Sequence, residues 1–339
     1  MKLILHIGVH KTASSLIQKN LERLGSDLLE RKIYYPTSEA GTISHHRIAK
    51  LLNQKHISDF KKHLSQIVTD AESNGANQIL LSSEMFSLNS NTPPLPDETT
   101  SIFEEITVIC YTRNQLDLLD SLYNQNVKSA VVRYKHNIEK FFHDTNFSAH
   151  YDYNNILTRW ESVTCPTRII FIPLEKSDNP TENLLTKGLN LDRSLLKHIK
   201  NEPQKATLIN KSLNNSLIPS LRHLNAIKTP QPLHKYIVRQ LKAKEISTNY
   251  TLISQQLAEE IQSHFAPLNI QLNKTQGYNA VTETSRHSKK VIFSESIEMD
   301  EKELTNLLTI AKRRLAKHSR TSRPRQAKLS KANERPLKK

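Results

Sequence analysis

The sequence predicts an α/β fold: a doubly wound parallel sheet flanked by helices, with a helical C-terminal extension and a disordered basic tail. Three observations carry this expectation. Short continuous apolar runs, rather than alternating ones, recur in the first half of the chain, as in strands covered on both faces. Amphipathic stretches separate those runs in βαβ order. Beyond about residue 210 the apolar spacing is mostly helical until it gives way to a polar, basic end.

Residues 2–7 form a β-rich apolar run, followed at once by Gly8 and a polar loop; Leu16, Ile17, Leu21, Leu24 and Leu28 then recur at helical spacing. The order is strand, loop, helix. Further strand-like runs cover 78–82, 106–111 and 168–173, and helical patterns cover 46–52, 58–73, 115–132, 154–163 and 181–189. The segment 87–100 carries Pro93, Pro94 and Pro96 and reads as a loop bordering an acceptor site. In the extension Leu213, Leu217, Leu221 and Leu224 share one stripe, and 252–265 is amphipathic. A last helix is expected over 299–315, capped by Asp300 or a neighbour, before the breaker-rich tail. These readings divide the chain into an α/β domain over 1–275 that includes the extension, a linker with an amphipathic helix over 276–318, and the tail over 319–339.

At 339 residues, 37% hydrophobic and 24% charged, the chain can bury a substantial core. The formal charge of +15 is unevenly spread: from Lys312 to Lys339 twelve Lys and Arg face only Glu334, which leaves +4 for the rest of the chain. The tail therefore invites an acidic polymer or surface, while the remainder has no strong basic character. Cys110 and Cys165 are the only cysteines, and Cys110 lies inside an apolar run, so two buried thiols are expected rather than a disulfide framework. The opening apolar run is too short for a signal peptide and no run reaches the roughly 18 residues of a membrane span. A cytoplasmic protein without a transmembrane segment is the expectation.

Chemistry concentrates in two blocks. The first, from Ile7 to Ser15, places Gly8, His10, Lys11, Thr12, Ala13, Ser14 and Ser15 between a strand and a helix. Backbone N–H groups and the positive end of a helix can cradle a phosphate there, and Lys11 adds a point charge. A nucleoside triphosphate loop needs Gly-x-x-x-x-Gly-Lys-Ser/Thr, whereas Lys11 lies three residues after Gly8, so that motif is not met. The second block, 107–128, is an apolar strand ending at Arg113 followed by a helix with Ser121. Arg supplies a planar fork for phosphate oxygens and Ser a neutral donor.

The first block resembles the 5′-phosphosulfate loop of the sulfotransferases that use 3′-phosphoadenosine 5′-phosphosulfate (PAPS), Lys-x-Gly-Thr-Thr in outline. It is closest to the bacterial branch that begins His-Ile-Gly-x-His-Lys-Thr-Gly, with Ala13 where that branch has Gly. Arg113 with Ser121 eight residues on, then Leu-Tyr, resembles the 3′-phosphate motif of the same family. Weaker echoes lie at 33–36, 45–49, 81–84, 151–153 with Trp160, and 265–269, so the resemblance covers most of residues 1–270. It implies a P-loop-like version of the fold and PAPS as co-substrate. Lys11, Thr12, Ala13, Ser14 and Ser15 would hold its 5′ end, and Arg113 and Ser121 its 3′-phosphate. The Gly-rich loop that closes over the nucleotide in cytosolic animal members has no counterpart, which leaves the adenine contacts unassigned.

A sulfuryl unit carries one negative charge, so its in-line transfer needs less neutralisation than phosphoryl transfer and requires no metal in principle. Lys11 would stabilise charge on the leaving phosphate, and a base would take the proton of an acceptor hydroxyl, for which family habit suggests a carbohydrate. His46 is the first candidate base and Glu84 the second, with His10 and His45 behind them. The cluster of Tyr151, Tyr153 and Trp160 reads as core packing. Two rivals stand beside this reading. A P-loop-type small-molecule kinase would want an Asp for Mg²⁺ beside the loop, and none is clear. A nucleic-acid-binding protein would use the tail, but its basic residues are not interleaved with aromatics.

Overall fold

Short, β-branched apolar runs in this chain are long enough for strands and too short for helices, and in the computed structural model they assemble into one parallel sheet. The structure describes residues 1–36, 43–88, 94–175, 179–199, 213–227, 229–242, 250–282, 285, 291–292, 309 and 313. The strands of this sheet are β1 (Lys2–His6), β2 (Ile33–Tyr34), β3 (Gln78–Ser82), β4 (Glu105–Thr112) and β5 (Thr167–Pro173), in the order β2-β3-β1-β4-β5; Tyr250–Thr251 and Val291–Ile292 form a separate parallel pair. Every pair is parallel; His6 stands opposite Ser82 on one side and Ile109 on the other. β1 is thus central and buried on both faces, which is why its run is continuous rather than alternating.

Helices flank the sheet: α1 (Ser14–Arg23), α2 (Gly25–Glu30), α3 (His46–Asn53), α4 (Ile57–Ser73), α5 (Asp97–Thr100), α6 (Gln115–Lys128), α7 (Ile138–Asp144), α8 (Phe147–His150), α9 (Tyr153–Glu161) and α10 (Pro180–Asn183). Ile17 and Leu21 of α1 join Ile4, Leu80, Ile109 and Tyr111 of the sheet in one core. Leu16, although in register with the apolar spacing, is 49% exposed. Because the chain crosses from β3 to β4 over β1, the carboxyl ends of these three strands form the crevice where parallel sheets place ligands.

The chain divides into two compact units. One comprises Met1–Tyr123, Ile138–Asn210 and Ile253–Lys290, and the other Asn124–Asn137, Lys211–Leu252 and Val291–Lys339. The first unit holds the sheet and the helix Gln255–Gln276. In the second, the expected stripe of Leu213, Leu217, Leu221 and Leu224 is buried, its last two residues on the helix Ile218–Ala226, the helix Gln231–Lys242 buries Leu233, Ile237 and Leu241, and Asn225 donates its amide to the carbonyls of Val127 and Tyr134 at 2.9 Å each.

Several elements differ from expectation for local reasons. The helix expected to reach residue 132 stops at Lys128, where the Ser129 hydroxyl accepts from the N–H groups of Val131 and Val132 and offers the backbone an alternative to the helix. The pattern over 181–189 is α10 followed by a wider π turn, Leu184–Gly188. The helix beginning near 252 runs to Gln276 despite Pro267 and ends on Gly277 at φ 73°. The segment 87–100 contains the short α5, and its residues 89–93 lie outside the described ones. Of the helix expected over 299–315 only Thr309 and Arg313 are described, both helical, and the tail 319–339 lies outside the described residues. Cys110 and Cys165 are free and buried, and burial pushes the Cys110 thiol up to about 12. Among the described residues no helix is long and apolar enough to cross a membrane.

Candidate functional site

Beyond β1 the chain keeps to the edge of β4, with the Ile7 N–H on the Ile109 carbonyl at 2.9 Å and the Val9 N–H on the Tyr111 carbonyl at 3.3 Å, before turning into α1. The turn is built from unusual backbone: Gly8 at φ 21°, Lys11 at φ 68° and Ala13 at φ 64°. Positive φ at two residues with side chains is strained, and strain of this kind clusters where a backbone must present itself to a ligand. Thr12 closes the turn by donating its hydroxyl to the Val9 carbonyl at 2.6 Å. Ala13 is the N-cap of α1 and supplies no side-chain cap, and no acid stands in the first turn. The positive end of α1 is therefore left without the carboxylate or hydroxyl that usually covers it. Ser14 is buried and its hydroxyl has no hydrogen-bond partner among the described residues; Ser15 is exposed.

Arg113 directly follows β4, and its guanidinium Nη1 donates to the Lys11 carbonyl at 3.1 Å. The two sequence blocks therefore meet at neighbouring strand ends. The Arg113 backbone is pinned by Tyr153, whose hydroxyl accepts from its N–H at 3.0 Å and donates to its carbonyl at 2.7 Å. Tyr153 is core, as expected, and its burial raises its pKa, so it keeps the proton that this double bond uses. Its positioning role was not legible in the sequence, because the partners lie 40 residues apart. Ser121 is half-buried on α6, and among the described residues its hydroxyl makes no hydrogen bond.

The carboxyl end of β3 brings the candidate bases together. Glu84 opens a single turn, Glu84–Phe86, which Ser83 caps by accepting from the Met85 N–H at 3.2 Å. The Ser83 hydroxyl also lies 2.7 Å from His46 Nδ1. The Glu84 carboxylate beside the ring's other nitrogen favours the tautomer with hydrogen on Nε2, in which Nδ1 accepts the Ser83 proton. His46 Nε2 faces Glu84 Oε1 at 3.8 Å, and His10 Nδ1 faces the same oxygen at 3.9 Å. Gln18 of α1 reaches Glu84 Oε2 and the Ser82 carbonyl, each at 3.4 Å. Burial lowers the pKa of His10, opposed by the Glu84 charge and aided by His46 and Lys11.

His45 is a staple rather than a base. Its Nδ1 accepts from the Ser82 N–H at 2.9 Å and its Nε2 donates to the Pro36 carbonyl at 3.0 Å, while burial takes its pKa down to about 4. Sequence reading also passed over His6, the wholly buried last residue of β1, whose Nδ1 lies 2.7 Å from Ser82 Oγ. Among the described residues no group of three or more His, Cys, Asp or Glu is arranged to hold a metal ion. Compared with protein-family models and with curated protein sequences, the chain has no match.

Proposed function

We propose that the chain is a P-loop-like sulfotransferase that moves a sulfuryl group from PAPS to an acceptor hydroxyl. The observation that carries this reading is the direct bond from Arg113 Nη1 to the Lys11 carbonyl, which joins the two blocks that the resemblance assigns to the two phosphate ends of one nucleotide. The residues fit an anionic group beside the loop: the Ser14 hydroxyl is buried without a partner among the described residues, and α1 begins with neither a side-chain cap nor an acid. PAPS supplies the sulfuryl group, activated by its phosphosulfate linkage.

Ser14, Ser15 and the first amides of α1 hold the 5′ end, with Thr12 and Ala13 setting the turn. Arg113 and Ser121 hold the 3′-phosphate. Lys11 places positive charge where negative charge grows as the bond from sulfur to the phosphate oxygen breaks. Glu84 Oε1 takes the acceptor proton as the bond from the acceptor oxygen to sulfur forms. Glu84 is favoured over His46 because the Nδ1 lone pair of His46 is committed to Ser83, and its Nε2–H is aimed at Glu84. His46 is then the residue that orients the base.

Calorimetric titration with adenosine 3′,5′-bisphosphate and with adenosine 5′-monophosphate tests the reading. A charge-assisted contact to the 3′-phosphate should make the bisphosphate bind at least tenfold more tightly, and Arg113→Ala should remove that preference. Equal affinity for the two nucleotides rejects the assignment.

A further inference from the structure

We infer that His6 and Ser14 together bind the 5′-phosphate end of the donor, an inference that rests on the sulfuryl-transfer reading above. His6 ends β1 beneath the loop and is wholly buried. Its ring stands edge-on to Tyr111 with centroids 5.4 Å apart, and Nδ1 is held by Ser82 Oγ at 2.7 Å. Among the described residues Nε2 has no partner, and neither has the Ser14 hydroxyl. Buried polar atoms are nearly always paired, and two orphans flanking one loop are a specific reason to look for what pairs them.

Both orphans lie beside Gly8. A Cβ on Gly8 would stand 3.2 Å from His6 Nε2, 3.2 Å from Ser14 Oγ and 3.1 Å from Thr12 Oγ1. Glycine is required there for room as well as for its φ of 21°. Thr12 has already given its proton to the Val9 carbonyl, so the donors left are the Ser14 hydroxyl and, with Ser82 donating to Nδ1, the Nε2–H of His6. Burial takes the His6 pKa down to about 4, so the ring is a neutral donor near pH 7. Neutral donors beside the start of α1 suit a phosphate oxygen whose charge is met by Lys11. The 3′ end, assigned to Arg113, makes no demand on His6.

The test separates the two ends of the nucleotide by titrating the full chain with adenosine 3′,5′-bisphosphate and with adenosine 3′-monophosphate, which lacks the 5′-phosphate. His6→Asn keeps a polar group near Nδ1 and removes Nε2. It should weaken the bisphosphate by roughly 10- to 100-fold and shift the monophosphate by less than twofold, as should Ser14→Ala. His6→Gln, which restores a donor near Nε2, should recover most of the loss. Nitrogen NMR of the wild-type ring decides the matter even where a variant folds poorly: the Nε2–H signal should move with the bisphosphate and stay still with the monophosphate. A bisphosphate affinity untouched by His6→Asn, or a ring signal indifferent to nucleotide because a trapped water satisfies Nε2, overturns the role of His6 and leaves the donor assignment standing. A wild-type chain that binds neither nucleotide defeats both.

Discussion

At the scale of single residues, the loop's geometry explains both what the sequence displayed and what it hid. Lys11, Ser14 and Arg113 were legible because a charge and small hydroxyls at a strand end have few structural uses. His6 was not, since its partner Ser82 lies 76 residues away and no local spacing links them. His46 and Glu84 were each legible as candidates, but only the neighbouring ends of α3 and β3 bring them within 3.8 Å and set Ser83 against the other ring nitrogen. Glu84→Gln should lower turnover by roughly 10² to 10⁴ with nucleotide affinity intact, and His46→Ala by about tenfold. The reverse order, measured by steady-state transfer and calorimetry on the same preparations, would return the base to His46. Ala13 at φ 64° offers a separate test. A left-handed conformation costs an L-residue roughly 1–2 kcal/mol, partly offset by the greater freedom of an unfolded glycine. Ala13→Gly should raise urea-unfolding stability by roughly 0.5–1 kcal/mol, and Ala13→Val, β-branched at the same φ, should lower it by more.

At the scale of elements, the strands were legible to within a residue because a parallel strand buried on both faces leaves an unbroken apolar run. β2, with two residues, is too short to leave such a trace, and it forms because β3 offers Ile33 and Tyr34 a parallel partner. The helices α7 and α8 were missed because their aromatics Phe141, Phe142 and Phe147 carry weak helix propensity and are held by packing. The π turn at Leu184–Gly188 has a packing cause that only the fold displays: a Cβ on Gly188 would meet Ile109 Cδ1 of β4 at 2.8 Å. Gly188→Ala should therefore destabilise by about 1–3 kcal/mol through overpacking. Ile109→Val removes the obstructing methyl and alone should cost about 0.5–1.5 kcal/mol. In a double-mutant cycle the pair should cost less than the sum, by at least roughly 0.5 kcal/mol, and strict additivity would show that the turn is set elsewhere.

At the scale of the whole molecule, histidine burial makes stability depend on pH. The net charge was legible at once, but which histidines are buried was not, because a histidine in an apolar stretch looks the same whether it lines a core or a surface. His6 and His45 are buried in the unit that holds the sheet, and His234 in the other, with neither of its ring nitrogens paired among the described residues. Burial takes the pKa of each down to about 4, aided for His234 by the charge of Arg133. The unfolded chain protonates these rings near 6.5 while the folded chain keeps them neutral to about 4, so between those values the unfolded state binds more protons. Stability from this source is whole above pH 6.5, falls as pH drops to about 4 and is flat below, with the buried rings of His6 and His45 each able to remove on the order of 3 kcal/mol. His234→Leu isolates one ring far in sequence from the proposed donor loop. It replaces an unpaired buried polar group by an apolar one of similar size and should stabilise the protein by roughly 1–3 kcal/mol at pH 7. Because the variant no longer takes up a proton on unfolding at that position, its advantage over wild type should widen as pH falls from 6.5 to 4. Urea unfolding across that window, with hydrogen exchange of the amides in Gln231–Lys242 as the local probe, measures the gap. Curves that stay parallel would mean that His234 is protonated in the folded protein and paired by a group brought to it on acidification.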